Sequence, residues 1–118
     1  MAVNRSRPPT GAISARIVLE GGVLKLNGNP VHADYAAFER ACNALSGTTC
    51  ACVVVDLTRC TYLNSVFVGL LVETVTQMKS AGKKVRLYVS PEVGHFFNMA
   101  HLFHLFDYEV LVPAGGQD

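Results

Sequence analysis

The run from Cys50 to Leu57 (CACVVVDL) constrains the fold more than any other stretch of this 118-residue chain. It has strand length, holds three consecutive valines and is apolar on both faces, which is what a central strand covered on both sides of a sheet requires. It closes at Asp56-Leu57-Thr58, and a loop follows from Arg59 to Asn64. Half of the residues are hydrophobic and only 16% are charged, so this strand has ample apolar partners and intrinsic disorder is excluded. The length suits one domain, on a prior of ~100–200 residues per domain.

The flanking segments supply those partners. Ala12 to Glu20 and Val23 to Leu26 read as two strands joined by a tight turn at Gly21-Gly22. Asn27-Gly28-Asn29-Pro30 then stops the second strand. From Asp34 onward, Tyr35, Phe38, Cys42 and Leu45 recur at helical spacing, and Ser46-Gly47 ends an amphipathic helix of about three turns. Ser65 to Ala81 is a long helix closed by Gly82, with Lys79 near its end. Val85 to Val89 is a strand, and Ser90-Pro91-Glu92 opens a third helix with an N-cap serine, a proline at the first position and an acid in the first turn. Its apolar stripe runs through Val93, Phe96 or Phe97, Ala100 and Phe103 or His104, and Tyr108 to Val112 forms a last strand. The order β-β-α-β-α-β-α-β predicts a single α/β domain, a mostly parallel sheet with helices packed on it. Its bounds are residues 12–112, after a disordered lead-in over 1–11 and before a flexible tail over 113–118.

Several function classes are excluded or weakened. The formal charge is +1, from 10 Lys+Arg against 9 Asp+Glu, so no one-sign field exists to attract nucleic acid or an acidic membrane. No run of about 18 apolar residues is present, and no apolar region follows the N-terminal arginines, so neither a membrane span nor a secretory signal is expected. Without such a signal, Cys42, Cys50, Cys52 and Cys60 are expected as reduced thiols in a cytoplasmic protein. The chain has no GxxxxGK[ST], GxGxxG or G-x-S-x-G motif, and its acids are scattered, so it does not read as an enzyme. Neither Cys50, Cys52 and Cys60 nor His95, His101 and His104 follow zinc-ligand spacing, so no metal and no cofactor are expected. Cys50 and Cys52 are expected to face one side of their strand and fill core space. Phe96, Phe97, Phe103 and Phe106 read as core and helix rim. Glu73, Lys79, Lys83 and Lys84 read as a solvated face.

The strand-loop-helix junction is the informative place, because ligands and modifications gather at the C-terminal ends of parallel strands. Ser65 stands where the helix begins, close to free backbone N–H groups and the positive end of the helix dipole. That position by itself reads first as an ordinary first-turn or N-cap serine, and its functional reading is a phosphorylation site. Cys60 beside it is redox-sensitive only if its thiol pKa is lowered; otherwise it is structural.

This junction resembles the STAS domain, named for sulphate transporters and anti-sigma factor antagonists. The resemblance is carried by Val54-Val55-Asp56-Leu57, Leu63-Asn64-Ser65, Gly69-Leu70-Leu71, Ala81-Gly82-Lys83-Lys84-Val85-Arg86-Leu87, and Ser90-Pro91-Glu92-Val93 followed by Leu102-Phe103. It covers about residues 12–112. The family's usual Asp-Ser-Ser-Gly is here Asn64-Ser65-Val66-Phe67, which removes one acid and a flexible small pair and makes the helix start more apolar.

The resemblance implies a partner switch. Small free-standing family members bind an anti-sigma factor that is also a serine kinase, phosphorylation of the helix-start residue releases them, and a phosphatase resets them. Carried onto this sequence, Ser65 is the acceptor and Asn64 takes the place of the preceding aspartate. Thr58, Thr61, Val66 and Phe67 join them at the partner surface, bordered by the loop from Asn27 to Asp34. The resemblance equally covers scaffold subunits of stress-signalling complexes and soluble parts of membrane lipid or solute transport systems, neither of which needs phosphorylation. A small-molecule sensor with a pocket under the first helix is a third class. Monomer and weak homodimer both stay open.

Overall fold

The computed structural model describes residues 15–100 and 109–110. Within them lie β1 (Arg16–Glu20), β2 (Val23–Asn27), a single 3-10 turn (His32–Asp34), α1 (Tyr35–Ser46), β3 (Cys52–Arg59), α2 (Ser65–Ser80), β4 (Lys84–Val89), α3 (Pro91–Met99) and β5 (Glu109–Val110). The element order is the one the sequence predicts. The parts of that reading that fall on residues 12–14, 101–108 and 111–118, including Phe103, Phe106, His101 and His104, lie outside the described residues.

Local chemistry places the elements. Gly21 and Gly22 take φ of 58° and 82°, the pair of positive values that a two-residue hairpin turn demands, and β1 and β2 pair antiparallel across it. Every further pairing is parallel, and the strands stand in the order β1-β2-β3-β4-β5. Each of the three crossovers steps one strand in the same direction. Right-handed connections then put all three helices on one face of the sheet.

Burial agrees with that topology. Leu24 and Leu26 of β2, Val53, Val55 and Leu57 of β3, and Leu87 and Val89 of β4 share one core with Phe38, Cys42 and Leu45 of α1, Phe67, Leu71, Val75 and Met78 of α2, and Val93 and Phe97 of α3. The alternate strand positions form the other face. There Val18 faces Lys25, Lys25 faces Asp56, and Asp56 faces Tyr88, which in turn faces Glu109.

Three expectations are corrected here. First, β3 is not covered on both sides: its burial alternates, and among the described residues no helix lies over Val54, Asp56 and Thr58, all half-buried. A sheet whose order never reverses has no crossover to send to its second face. Second, β3 begins and ends two residues later than the apolar run suggests, because its ladder with β4 opens at Cys52 opposite Lys84 and its ladder with β2 runs on to Arg59 opposite Asn27. Cys52 is therefore exposed at the strand's start, and Cys50 packs half-buried before it, against the core. Third, Lys83 is not part of a solvated face. Its Nζ donates to the carbonyls of Thr48 at 2.6 Å and Cys50 at 2.8 Å and closes the α1–β3 connection.

Other expectations are met. The four cysteines are free thiols. Gly82, with φ of 87°, ends α2 as a helix-stopping glycine does. Phe97 is core and Phe96 is rim.

Candidate functional site: the junction of β3 and α2

Parallel pairing brings the C-terminal ends of β2, β3 and β4 to one edge of the sheet. The loops that follow them, Gly28 to Val31, Cys60 to Asn64 and the turn at Ser90, meet there.

Asn64 caps α2. Its Oδ1 accepts from the Val66 N–H at 3.0 Å and the Phe67 N–H at 3.1 Å, satisfying two donors that the helix itself leaves free. The amide side chain thus serves the cap without the charge of the family's aspartate. Asn64→Ala is expected to lower the unfolding free energy by about 1 kcal/mol, and Asn64→Asp to raise it by roughly 0.3–1 kcal/mol through the helix dipole. Chemical denaturation of the two variants checks both signs.

Ser65 is the first residue of α2 and is exposed. It is a first-turn residue, not the cap. The first turn of α2 holds no acidic side chain, so nothing there offsets the positive end of the helix dipole. Apolar side chains lie next to it in the chain: Tyr62 is 60% exposed and Val66 58%, and Val31, in the loop after β2, is 42% exposed. Gly69, one helical turn on, is also exposed, and a Cβ built on it would meet nothing within 4 Å. The fold itself does not require glycine at that point.

Asn29 fixes the loop. Its Oδ1 accepts from the backbone N–H groups of Thr61 at 2.7 Å and Tyr62 at 3.2 Å, and its Nδ2 donates to Thr61 Oγ1 at 3.0 Å. The Gly28 N–H donates to the Arg59 carbonyl at 3.1 Å alongside. Asp34 anchors the other end of the β2–α1 connection, its Oδ2 accepting from Val31 N–H at 2.8 Å and Ala15 N–H at 3.2 Å. The loop from Asn27 to Asp34 therefore borders the Ser65 junction.

The predicted site residues separate into two groups. Asn64, Ser65, Thr61 and Val66 come together at the edge. Thr58 does not join them: it sits on the face of β3 that no described helix covers, its hydroxyl donating to Asp56 Oδ1 at 2.7 Å. Phe67, expected on the partner surface, is 1% exposed and lies in the core, its ring centroid 5.7 Å from Tyr35 and 5.6 Å from Phe38. Counting back from Met78 by three and four residues reaches Val75, Leu71 and Phe67, so the buried stripe was recoverable from the polar half of the helix. Tyr62, Asn29 and Val31 are the residues that sequence reasoning missed individually. Asn29 stood inside a four-residue breaker run that reads only as a strand stop.

Cys60 is structural. Burial pushes its thiol up to about 11, against a smaller downward pull from the Tyr62 backbone, and its Sγ donates to the Tyr62 carbonyl at 3.1 Å. A thiol so raised is protonated at neutral pH and has no redox poise. Among the described residues no group of three or more His, Cys, Asp or Glu side chains could hold a metal ion. Phe38, Cys42 and Leu45 fill the space beneath α1. A shallow concavity of about 250 Å³, lined by Val18, Glu20, Val23 and Lys25, lies instead on the opposite face of the sheet. No described helix is long and apolar enough to cross a membrane.

The family described as "Mlab, STAS domain" matches residues 13–113. No curated protein sequence matches the chain. An anti-sigma factor antagonist from Mycobacterium paratuberculosis shares the fold with a TM-score of 0.71 at 17% identity, over 93% of this chain and 98% of that one. The unphosphorylated form of the anti-sigma factor antagonist SpoIIAA matches with a TM-score of 0.64 at 14% identity, over 86% of this chain and 91% of its own. A chain from the Pseudomonas aeruginosa complex of the diguanylate cyclase SiaD with its activator SiaC matches with a TM-score of 0.60 at 14% identity, over 82% and 90%.

Proposed function

The chain belongs to the STAS domain family, and from that premise we propose that it is an anti-sigma factor antagonist-like interaction switch. It docks a protein partner through the junction around Ser65 and releases that partner when Ser65 is phosphorylated. The partner is a serine kinase that also restrains a sigma factor, a phosphatase resets the switch, and the domain works in the cytoplasm. The domain contributes binding rather than catalysis.

One observation carries this reading. Ser65 is exposed at the first position of α2, with Tyr62 and Val66 exposed on either side and the loop beneath them tied down by Asn29. A phosphoryl group adds about −1.5 to −2 charges at neutral pH, which a helix N-terminus accommodates within the chain. The same charge buried against a docked apolar surface has no counter-ion, so docking pays its desolvation. The modification therefore spares the fold and penalises the complex. Anti-sigma factor antagonists among the structures that share the fold support the same partner class.

A second reading, a scaffold or transport-associated subunit that docks through this surface without phosphorylation, is favoured by the apolar Val66 where the family's pattern carries a small residue. The two are separated by mass mapping of the protein purified from its own host, with and without phosphatase. A phosphatase-sensitive phosphoryl group on Ser65 is expected. A Ser65 peptide unmodified across growth and stress conditions overturns the switch and leaves the scaffold.

A further inference from the structure

The loop that leads to Ser65 is held from below by a hydroxyl that no docked partner can touch. Ser90 is 1% exposed. Its Oγ accepts from the Val93 N–H at 3.1 Å, as an N-cap serine does, and also donates to the Cys60 carbonyl at 2.5 Å, 30 residues earlier in the chain. Capping α3 requires only the first of these bonds. The second ties α3 to the loop after β3.

The Cys60 end of the loop is closed in the same way. The Cys60 N–H donates to the Leu57 carbonyl at 3.0 Å, and its buried Sγ to the Tyr62 carbonyl at 3.1 Å. Asn29 holds Thr61 and Tyr62 from the other side. Residues 60–62 are thus gripped between α3 and the β2–α1 connection, and Tyr62 is displayed by that grip.

We propose that Ser90 is a positioning residue for the Ser65 junction: its hydroxyl latches the loop at Cys60 onto α3, and without it this loop opens locally while the sheet and α1 stay folded. An open loop no longer presents Tyr62 and Ser65 at one fixed spacing, so a partner would have to order it on docking. The functional consequence rests on the docking role proposed for Ser65, but the latch itself is tested without any partner.

Two buried thiols supply the readout. Cys60 and Cys42 are both fully buried, and burial pushes both up to about 11. At pH 8 each is therefore protonated and reacts with iodoacetamide only through opening of the structure. Cys42, in the core beneath α1, reports global unfolding; Cys60 reports the loop. The full chain is alkylated as wild type, Ser90→Ala and Ser90→Gly, and the rate at each cysteine is read by peptide mass mapping. Glycine is nearly as good an N-cap as serine but has no hydroxyl to give the Cys60 carbonyl.

The latch predicts that both variants speed Cys60 alkylation about tenfold or more, as the buried carbonyl loses its donor, while Cys42, which feels only the accompanying loss of global stability, stays at least about tenfold slower than Cys60 in the same protein. Three results overturn it: Cys60 and Cys42 reacting at one common rate in both variants, Cys60 unchanged in Ser90→Ala, or Ser90→Gly behaving as wild type. None of these depends on whether Ser65 carries phosphate, so the latch and the switch fail separately.

Discussion

A Ser65→Asp variant is expected to fold normally and to lose its protein partner, while Ser65→Ala keeps it. The first half follows from the geometry of α2. Its first turn has no acid, so a carboxylate at its first position meets only the positive end of the dipole and adds roughly 0.3–1 kcal/mol of stability. The second half follows from what surrounds the position. Ser65 lies between exposed Tyr62 and Val66 in the chain, and a partner that covers them strips water from the new charge without supplying a counter-ion. Leaving a buried charge unpaired costs about 2–5 kcal/mol. At 1.4 kcal/mol per decade that weakens binding by between one and four orders of magnitude. Phosphoserine carries more charge than aspartate, so the natural modification acts at least as strongly. Titration calorimetry against the co-purifying partner, alongside a thermal melt, checks both halves. Equal affinity of the aspartate and alanine variants removes the switch mechanism.

Adjacent positions on α2 should behave in opposite ways. Phe67→Ala empties the space between Tyr35 and Phe38 where α1 meets α2, and truncations of this kind cost about 3–5 kcal/mol. Against a total of roughly 5–15 kcal/mol for a domain, this shifts the melting temperature by tens of degrees or unfolds the chain at room temperature. Val66→Ala removes a side chain that is mostly in water and is expected to move stability by no more than about 0.5 kcal/mol. Its effect falls on docking, with an expected loss of about 1 kcal/mol. Melts of the two variants with a binding measurement on Val66→Ala decide the matter. A Val66→Ala protein that melts as low as Phe67→Ala would place that side chain in the core and contradict the surface described here.

The contrast between Val66 and Phe67 shows where sequence reading stops. From Val66 to Val72 the helix is non-polar at every position, so the first two turns carry no period by which to tell inside from outside. The phase becomes visible only where Glu73, Thr76 and Gln77 interrupt the run on the exposed side. The same limit appears at β3. Val54 between Val53 and Val55 makes the strand look apolar all round, yet only Val53 and Val55 reach the core.

The helix and turn signals, by contrast, were written in adjacent residues. The glycine pair between β1 and β2, the Ser90-Pro91-Glu92 start of α3, the Gly82 stop and the Asn64-Ser65 start of α2 each act through bonds or φ angles within a few positions of themselves. These suffice for the element order, the single α/β domain and the position of Ser65 at a helix start. Local stereochemistry determines them, and the sequence alone therefore carries them.

Tertiary structure decided the rest, because the deciding contacts lie far apart in the chain. Asn29 reaches Thr61 and Tyr62 across 32 and 33 residues, Ser90 reaches Cys60 across 30, and Lys83 reaches Thr48 and Cys50 across 35 and 33. None of these pairs has a spacing that a helix or a turn could announce. The strand order had the same status: only the pairing of β2, β3, β4 and β5 in sequence put the described helices on one face and left Thr58 on the other. What Ser65 is, a residue at a helix start, was local. What surrounds it, an apolar patch on a loop braced from two sides, required the chain to close on itself.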